Sequence, residues 1–199
     1  MTRIKICGLS RPCDIQYVNE AKPDFCGFII GVPKSRRNVT PDTVRQLTRL
    51  LSPEIKPVGV FVNAPIAEIA ALVQDGTLAY VQLHGQEDEA YLAALREKIS
   101  VPIIQAFQVA SPEDVKRAEA SSADYILLDN GSGGTGKTFD WNHLKGIARP
   151  FILAGGLAPD NLAQAVSQLS PWGVDLSSGV ETDGVKDREK VLAAVQAVR

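Results

Sequence analysis

The sequence predicts an α/β protein that folds as a single (β/α)₈ barrel, also called a TIM barrel, over residues 1–199. First, short apolar runs alternate with helix-periodic segments from one end of the chain to the other. Second, eight such units occupy 199 residues, about 25 residues each. Third, the runs are short and almost continuously apolar, as in parallel strands covered by helices. Six or fewer units would leave an open, doubly wound sheet as the alternative.

The strands and helices alternate in a regular order. The predicted strands are residues 4–6, 25–30, 58–62, 80–83, 102–106, 125–128, 151–154 and 174–176. The predicted helices are residues 11–21, 41–51, 65–74, 87–99, 112–121, 141–147, 159–169 and 186–198. Because no linker or low-complexity segment interrupts this order, one domain is expected.

Four helix starts are marked by proline, which is favoured at the first helical position. Ser111 and Asp114 have the spacing of a weak capping box, which would begin one of these helices. The four prolines are Pro41, Pro65, Pro112 and Pro159.

Composition and charge exclude several classes of function. The 21 Lys and Arg residues against 23 Asp and Glu residues give a net charge of −2, so binding of nucleic acid is not expected. No run of about 18 apolar residues predicts a membrane span, and the first residues do not resemble a signal peptide. The low charge and the lack of an evident apolar patch favour a monomer.

Cysteine and histidine usage predicts a reduced protein without a metal. The three cysteines, Cys7, Cys13 and Cys26, cannot all pair, and a chain of this length needs no disulfide. We interpret them as free thiols of a cytoplasmic protein. Neither they nor the two histidines have the spacing of a metal site, so no metal or other cofactor is expected.

In either α/β architecture the active site lies at the C-terminal ends of the strands, so the residues directly after each apolar run are candidates. Cys7 follows the first run, where a thiol can act as a base or nucleophile or can simply be a small buried residue. His84 follows the fourth run and could exchange a proton, donate a hydrogen bond or be structural. Asp129 follows the sixth run, where a partly desolvated carboxyl can serve as a general acid.

Two regions at the same end of the predicted barrel are expected to bind anions. Residues 34–37, after the second run, include three cations, and arginine binds carboxylate or phosphate through two parallel hydrogen bonds. Gly155 and Gly156 follow the seventh run, and Ser178 and Gly179 follow the eighth. Glycine lets backbone N–H groups approach a ligand, and barrels often bind phosphate with these two loops.

Residues 131–138 match the P-loop pattern of nucleotide-binding proteins, with Lys137 at its lysine position. The residues that follow are a poor start for an apolar helix, and a P-loop requires an open sheet rather than a barrel. A glycine-rich lid, from which Lys137 could reach an anion, is therefore favoured. Nucleotide binding and a barrel that binds a phosphosugar without catalysis stay as alternatives.

Eight short motifs follow one another in an order typical of one protein family. They are Lys5-Ile6-Cys7-Gly8, Gly27-Phe28 with Ser35-x-Arg37, Gly59-Val60-Phe61-Val62-Asn63, Val81-Gln82-Leu83-His84-Gly85, Leu127-Leu128-Asp129, Gly136-Lys137-Thr138-Phe139-Asp140-Trp141, Gly155-Gly156-Leu157 and Asp175-x-Ser177-Ser178-Gly179-Val180-Glu181. Together they resemble the phosphoribosylanthranilate isomerase family, (β/α)₈ enzymes of tryptophan biosynthesis. The likeness spans nearly the whole chain and assigns the P-loop-like segment to the family's own lid loop.

The resemblance implies an Amadori rearrangement, the third step of tryptophan synthesis from chorismate. N-(5-phosphoribosyl)anthranilate, a small phosphosugar, would become 1-(2-carboxyphenylamino)-1-deoxyribulose 5-phosphate without a cofactor. The resemblance implies that Asp129 is the general acid, which protonates the ribose ring oxygen. It implies that Cys7 is the general base, which removes the proton from C2 of the ribose.

The resemblance also implies the binding residues. Arg37 would hold the anthranilate carboxylate, with the adjacent Arg36 as the alternative. This loop departs from the family, which often has an aromatic residue at position 32. His84 and Asp175 would contact the substrate. The backbone would hold the phosphate at Gly155, Gly156, Ser178 and Gly179.

Overall fold

The structure is a computed structural model that describes residues 1–129, 141–144 and 146–199. Eight parallel strands form a closed barrel, because β1 pairs with both β2 and β9. In chain order the strands are β1 (Arg3–Cys7), β2 (Phe25–Ile30), β3 (Asn38–Val39), β4 (Lys56–Phe61), β5 (Tyr80–Leu83), β6 (Ile103–Gln108), β7 (Tyr125–Asp129), β8 (Phe151–Leu153), β9 (Gly173–Leu176), β10 (Glu181–Thr182) and β11 (Val185–Lys186).

An α-helix follows each barrel strand except β7, after which the described residues hold only a 3₁₀ helix. The α-helices are α1 (Pro12–Ala21), α2 (Pro41–Thr48), α3 (Ile66–Gln74), α4 (Glu89–Arg96), α5 (Pro112–Glu119), α6 (Leu162–Leu169) and α7 (Arg188–Val198). Short 3₁₀ helices cover Trp141–Leu144 and Ser178–Val180. The predicted (β/α)₈ barrel is therefore confirmed, and its eight strands are the eight predicted apolar runs.

Element boundaries differ from the prediction by three residues or fewer, and the helix after β8 shows why. Pro159 was expected to open it, but α6 begins at Leu162. The side chain of Asn161 accepts a hydrogen bond from the backbone N–H of Ala158 at 2.9 Å and stabilises a turn ahead of the helix. The segment predicted as a helix over residues 141–147 has only the 3₁₀ helix at Trp141–Leu144.

Other helix starts follow their sequence signals. Pro41 and Pro112 occupy the first helical positions of α2 and α5, whereas Pro65 directly precedes α3. The carboxylate of Asp114 accepts the backbone N–H of Ser111 at 2.9 Å, as the capping-box spacing predicts. Such caps stabilise a helix by about 1 kcal/mol each.

Three short strands were not predicted. Strand β3 adds two residues beside β2, and β10 pairs with β11 as an antiparallel hairpin after the last barrel strand. Two-residue strands are too short to give an alternating pattern that sequence reading detects. The P-loop-like segment, residues 131–138, lies outside the described residues.

The barrel interior has a closed end and an open end. At the N-terminal ends of the strands, the rings of Phe25, Tyr80, Tyr125 and Trp172 lie in edge or tilted contact, with centroid distances of 4.4–6.2 Å. The Arg3 guanidinium lies 4.5 Å from the Trp172 ring centroid. This cluster fills the N-terminal end, so the only polar interior positions open to a ligand in the described part lie towards the C-terminal ends.

Candidate active site

A cavity of about 300 Å³ opens at the C-terminal ends of the barrel strands. It has the position expected for the active site of a (β/α)₈ barrel. Its wall includes nearly all the residues that the sequence singled out, and Gly179, next to the wall residue Ser178, packs against the backbone of Leu157. The predicted residues in the wall are Cys7, Arg37, His84, Asp129, Gly155, Gly156, Asp175 and Ser178.

The thiol of Cys7 lies beside a buried ion pair. Lys5 and Cys7 alternate with the outward-facing residues of β1, so both side chains point into the barrel. The Nζ of Lys5 donates to Oδ2 of Asp175 at 2.8 Å, and both side chains are buried. A Cβ on Gly27 would lie 2.7 Å from the Cys7 sulfur and 3.1 Å from the Lys5 Nζ, so both side chains use the space that this glycine leaves.

Two opposing effects determine the pKa of the Cys7 thiol. Burial raises the pKa of Cys7, while the ammonium group of Lys5 acts in the opposite direction. Burial by itself would lower the pKa of Lys5, but Asp175 and Cys7 raise it to about 12. Lys5 is therefore a permanent cation next to Cys7, and it stabilises the thiolate whenever the thiol loses its proton.

A row of three polar side chains ends at Asp129. The Nε2 of Gln82 lies 3.0 Å from Nδ1 of His84, and Nε2 of His84 lies 3.6 Å from Oδ2 of Asp129. In this orientation of the Gln82 amide, Nδ1 of His84 is its hydrogen-bond partner, and Nε2 of His84 faces Asp129. Within the described residues, Oδ1 of Asp129 and Oε1 of Gln82 are buried and have no hydrogen-bond partner.

The two glycine loops form one surface. Gly155 and Gly156 both have positive φ, 86° and 70°, a conformation that favours glycine. Among the described residues, neither donates its backbone N–H to another group. A Cβ on Gly179 would lie 1.9 Å from the carbonyl oxygen of Leu157, so only glycine permits the two loops to approach this closely. The arrangement leaves N–H groups available to an anion.

The structure distinguishes the two adjacent arginines. The Arg37 side chain is 16% exposed and forms part of the cavity wall, whereas the Arg36 side chain is 57% exposed and lies outside it. Arg37 binds the buried Glu181 through Nε at 2.6 Å and Nη2 at 2.7 Å. Burial alone would raise the pKa of Glu181, but Arg37 and Lys186 lower it to about 2.

Sequence reading gave no role to four side chains that shape this site. Lys5 and Gln82 each stand two positions before a named residue on a strand, so the two-residue period of strands could have found them. Glu181 and Lys186 gave no comparable signal, because the Glu181 carboxylate that joins them also binds arginines about 145 positions earlier in the sequence. In the part of the chain that the structure describes, no group of three or more His, Cys, Asp or Glu residues could hold a metal ion, and no helix has the length and apolar character of a membrane span.

Comparison with known proteins agrees with this geometry. Residues 4–197 match the sequence model of the family described as N-(5'phosphoribosyl)anthranilate (PRA) isomerase. Proteins named N-(5'-phosphoribosyl)anthranilate isomerase from Endomicrobium trichonymphae and Lactiplantibacillus plantarum are each 47% identical to this chain. The alignments cover 100% and 98% of this chain and 99% and 91% of those proteins.

Solved structures give the same result. The phosphoribosyl anthranilate isomerase of Thermotoga maritima superposes with a TM-score of 0.89 at 35% identity and covers 99% of this chain and 98% of its own. A phosphoribosyl anthranilate isomerase in complex with reduced 1-(o-carboxyphenylamino)-1-deoxyribulose 5-phosphate superposes at 0.85 and 33% identity, with the same coverage. The chain belongs to the N-(5'-phosphoribosyl)anthranilate isomerase family.

Proposed function

We propose that this chain converts N-(5-phosphoribosyl)anthranilate into 1-(2-carboxyphenylamino)-1-deoxyribulose 5-phosphate. One observation carries the proposal: a single cavity brings together the Cys7 thiol and the Asp129 carboxyl, between an arginine and two glycine loops. An aldose–ketose rearrangement needs an acid and a base on the same sugar. The substrate also has a carboxylate at one end and a phosphate at the other, which match Arg37 and the glycine loops.

Asp129 acts first, as the general acid. It donates a proton to the ribose ring oxygen, the C1–O bond breaks, and the nitrogen lone pair forms the C=N bond of a protonated Schiff base. Oδ1 of Asp129 is the oxygen that we assign to this proton, since it has no partner among the described residues. The N–H of His84, beside Oδ2, supports the carboxylate that remains.

Cys7 acts second, as the general base. Its thiolate takes the proton from C2, the C2–H electron pair becomes the C1=C2 bond, and the C=N pair returns to nitrogen. The enolamine then tautomerises, with loss of the hydroxyl proton at C2 and gain of a proton at C1. Lys5 supports the thiolate, because its charge opposes the effect of burial on the pKa of Cys7.

The remaining site residues bind the substrate. Arg37 holds the carboxylate, and the backbone at Gly155, Gly156, Ser178 and Gly179 holds the phosphate. His84 and Asp175 contact the sugar. Both line the cavity, and Oδ1 of Asp175 is buried without a partner in the described part of the chain.

The test is the fluorescence of freshly made N-(5-phosphoribosyl)anthranilate, which is lost as the substrate is consumed. We expect rapid loss with the wild type and turnover reduced by at least about 100-fold in Cys7→Ser and Asp129→Asn. Cys13→Ser, on α1 and outside the cavity, is the matched control and should behave as the wild type. Circular dichroism establishes that each variant is folded. Absence of turnover by the wild type would overturn the proposal, and an active Cys7→Ser would remove Cys7 as the base.

We propose further that residues 1–199 form one domain and act as a monomer in the cytoplasm. One barrel includes strands from both halves of the chain, and α7 packs on α1. Few large apolar side chains are exposed among the described residues, namely Met1, Leu50, Val62 and Val185. The three cysteines are free thiols, as in a reducing compartment. Light scattering on the purified protein tests the monomer.

A further inference from the structure

Glu181 is a buried carboxylate that accepts hydrogen bonds from three cations. Besides Arg37, it binds Nη2 of Arg36 at 2.7 Å and Nζ of Lys186 at 2.6 Å. Its side chain is only 4% exposed. Charge-assisted hydrogen bonds of this length are among the strongest in proteins. Glu181 therefore connects the loop after β2 with the β10–β11 hairpin.

This contact fixes the Arg37 side chain at both ends. Two hydrogen bonds to one carboxylate set the plane of the guanidinium group. The stem passes over Gly8, where a Cβ would lie 2.4 Å from Cδ of Arg37. Nη1 makes no hydrogen bond to any described residue, so a ligand carboxylate can bind there. An arginine held in place loses little side-chain entropy when a ligand binds.

Contacts other than those with Arg37 also fix the position of Glu181. Nζ of Lys186 also donates to the carbonyl oxygen of Ser177 at 2.9 Å, and Nζ of Lys190 donates to the carbonyl oxygen of Glu181 at 2.7 Å. Ser177 lines the cavity next to the proposed phosphate loop. The same cluster thus sets the position of Arg37 relative to the phosphate-binding end.

The charges of the cluster favour an anionic ligand. Three cations surround one carboxylate, so a net positive charge faces the cavity through Arg37. We propose that Glu181 is a positioning residue that holds Arg37 for the substrate carboxylate and thereby determines the preference for a carboxylated substrate. This inference rests on the proposed function, in which Arg37 binds that carboxylate.

The experiment compares two ligands by calorimetry. One is reduced 1-(2-carboxyphenylamino)-1-deoxyribulose 5-phosphate, and the other is its phenylamino counterpart, which lacks the carboxylate. We expect Glu181→Gln to bind the first ligand about 10- to 100-fold more weakly than the wild type does and the second almost equally well. Glu189→Gln makes the same chemical change at an exposed glutamate on α7 and should bind both ligands as the wild type does.

A double-mutant cycle separates positioning from a general structural role. In an Arg37→Met background, Glu181→Gln should cause no further loss of affinity for the carboxylated ligand. Equal losses for both ligands, unchanged affinity in Glu181→Gln, or additive losses in the cycle would each overturn the inference. If Glu181→Gln does not fold, Glu181→Asp is the second variant. It keeps the carboxylate on a side chain one methylene shorter and should lower the carboxylate preference to a smaller extent. Turnover by the wild type tests the proposed function separately.

Discussion

The two ends of the barrel interior are built from the same alternation of inward-facing residues but have opposite character. The N-terminal end holds four aromatic rings in mutual contact, with Arg3 over Trp172. The C-terminal end holds charged and polar side chains, and three buried oxygens there have no partner among the described residues: those of Gln82, Asp129 and Asp175. Leaving such a group unpaired costs about 1–3 kcal/mol. The comparison indicates that packed aromatic rings fill one end, whereas the other end retains unsatisfied polar groups.

The largest expected difference between the ends comes from one substitution at each. Asp129→Asn should reduce kcat by about 100-fold or more and change the free energy of unfolding by less than about 1 kcal/mol, because the amide fills the same space. Trp172→Ala should reduce the free energy of unfolding by about 3 kcal/mol and leave the kcat of the folded protein unchanged. Urea denaturation and steady-state kinetics measure both. The comparison fails if Trp172→Ala lowers kcat in the fully folded range.

Lys5→Met should affect both properties, since Lys5 lies between the two ends. It leaves the Asp175 carboxylate buried without its cation, which should lower the free energy of unfolding by about 3 kcal/mol. It also removes the charge that supports the Cys7 thiolate, so the limb of the rate profile that follows ionisation of the thiol should move to higher pH. Lys56→Met, at the exposed start of β4, is the matched control. A rate profile identical to that of the wild type would exclude Lys5 as support for the thiolate.

Glycine substitutions give a smaller and more selective effect. Gly8 and Gly76 have nearly the same φ, 81° and 78°, so alanine should cost about 1–2 kcal/mol of stability at either position. Only at Gly8 would the new Cβ meet Arg37. Gly8→Ala should therefore raise KM as well, whereas Gly76→Ala should leave KM unchanged. Equal KM values in the two variants would show that Arg37 tolerates the displacement.

A further effect concerns the pH dependence of stability. The pKa of Glu181 is lowered to about 2 by its cations, below its value in the unfolded chain. Its contribution to stability is therefore fully present above the unfolded pKa of about 4.3 and is lost as the pH falls towards 2. Wild-type stability should decline more steeply than that of Glu181→Gln between about pH 5 and pH 2. Parallel stability curves from urea denaturation would contradict this assignment.

The sequence was sufficient for the barrel and for most of the cavity wall. Strand and helix periods differ clearly, and the strand-end rule then selects Cys7, His84 and Asp129 without any contact information. The glycine loops could also be predicted from the sequence, because a positive φ and a close approach of two backbones both favour glycine. The roles of these residues stay predictions until the variants are measured.

The contacts of Glu181 could not be predicted in the same way. Arg37 and Glu181 are 144 positions apart in the sequence. They meet only because the β10–β11 hairpin and the loop after β2 converge at the C-terminal end of the barrel. No local pattern encodes such a meeting. For a similar reason the sequence could not distinguish Arg36 from Arg37. Loop residues follow no fixed period, so the direction of each side chain cannot be predicted from its position.

The ion pair between Lys5 and Asp175 also has a consequence for protein synthesis. These residues are direct neighbours in the ladder between β1 and β9, the first and last strands of the barrel. A growing chain exposes Cys7 early, but Lys5 acquires its carboxylate only when β9 docks. The environment of the thiol is therefore completed only when the last barrel strand docks, and a partly synthesised chain holds Cys7 without the carboxylate that pairs with its neighbouring cation.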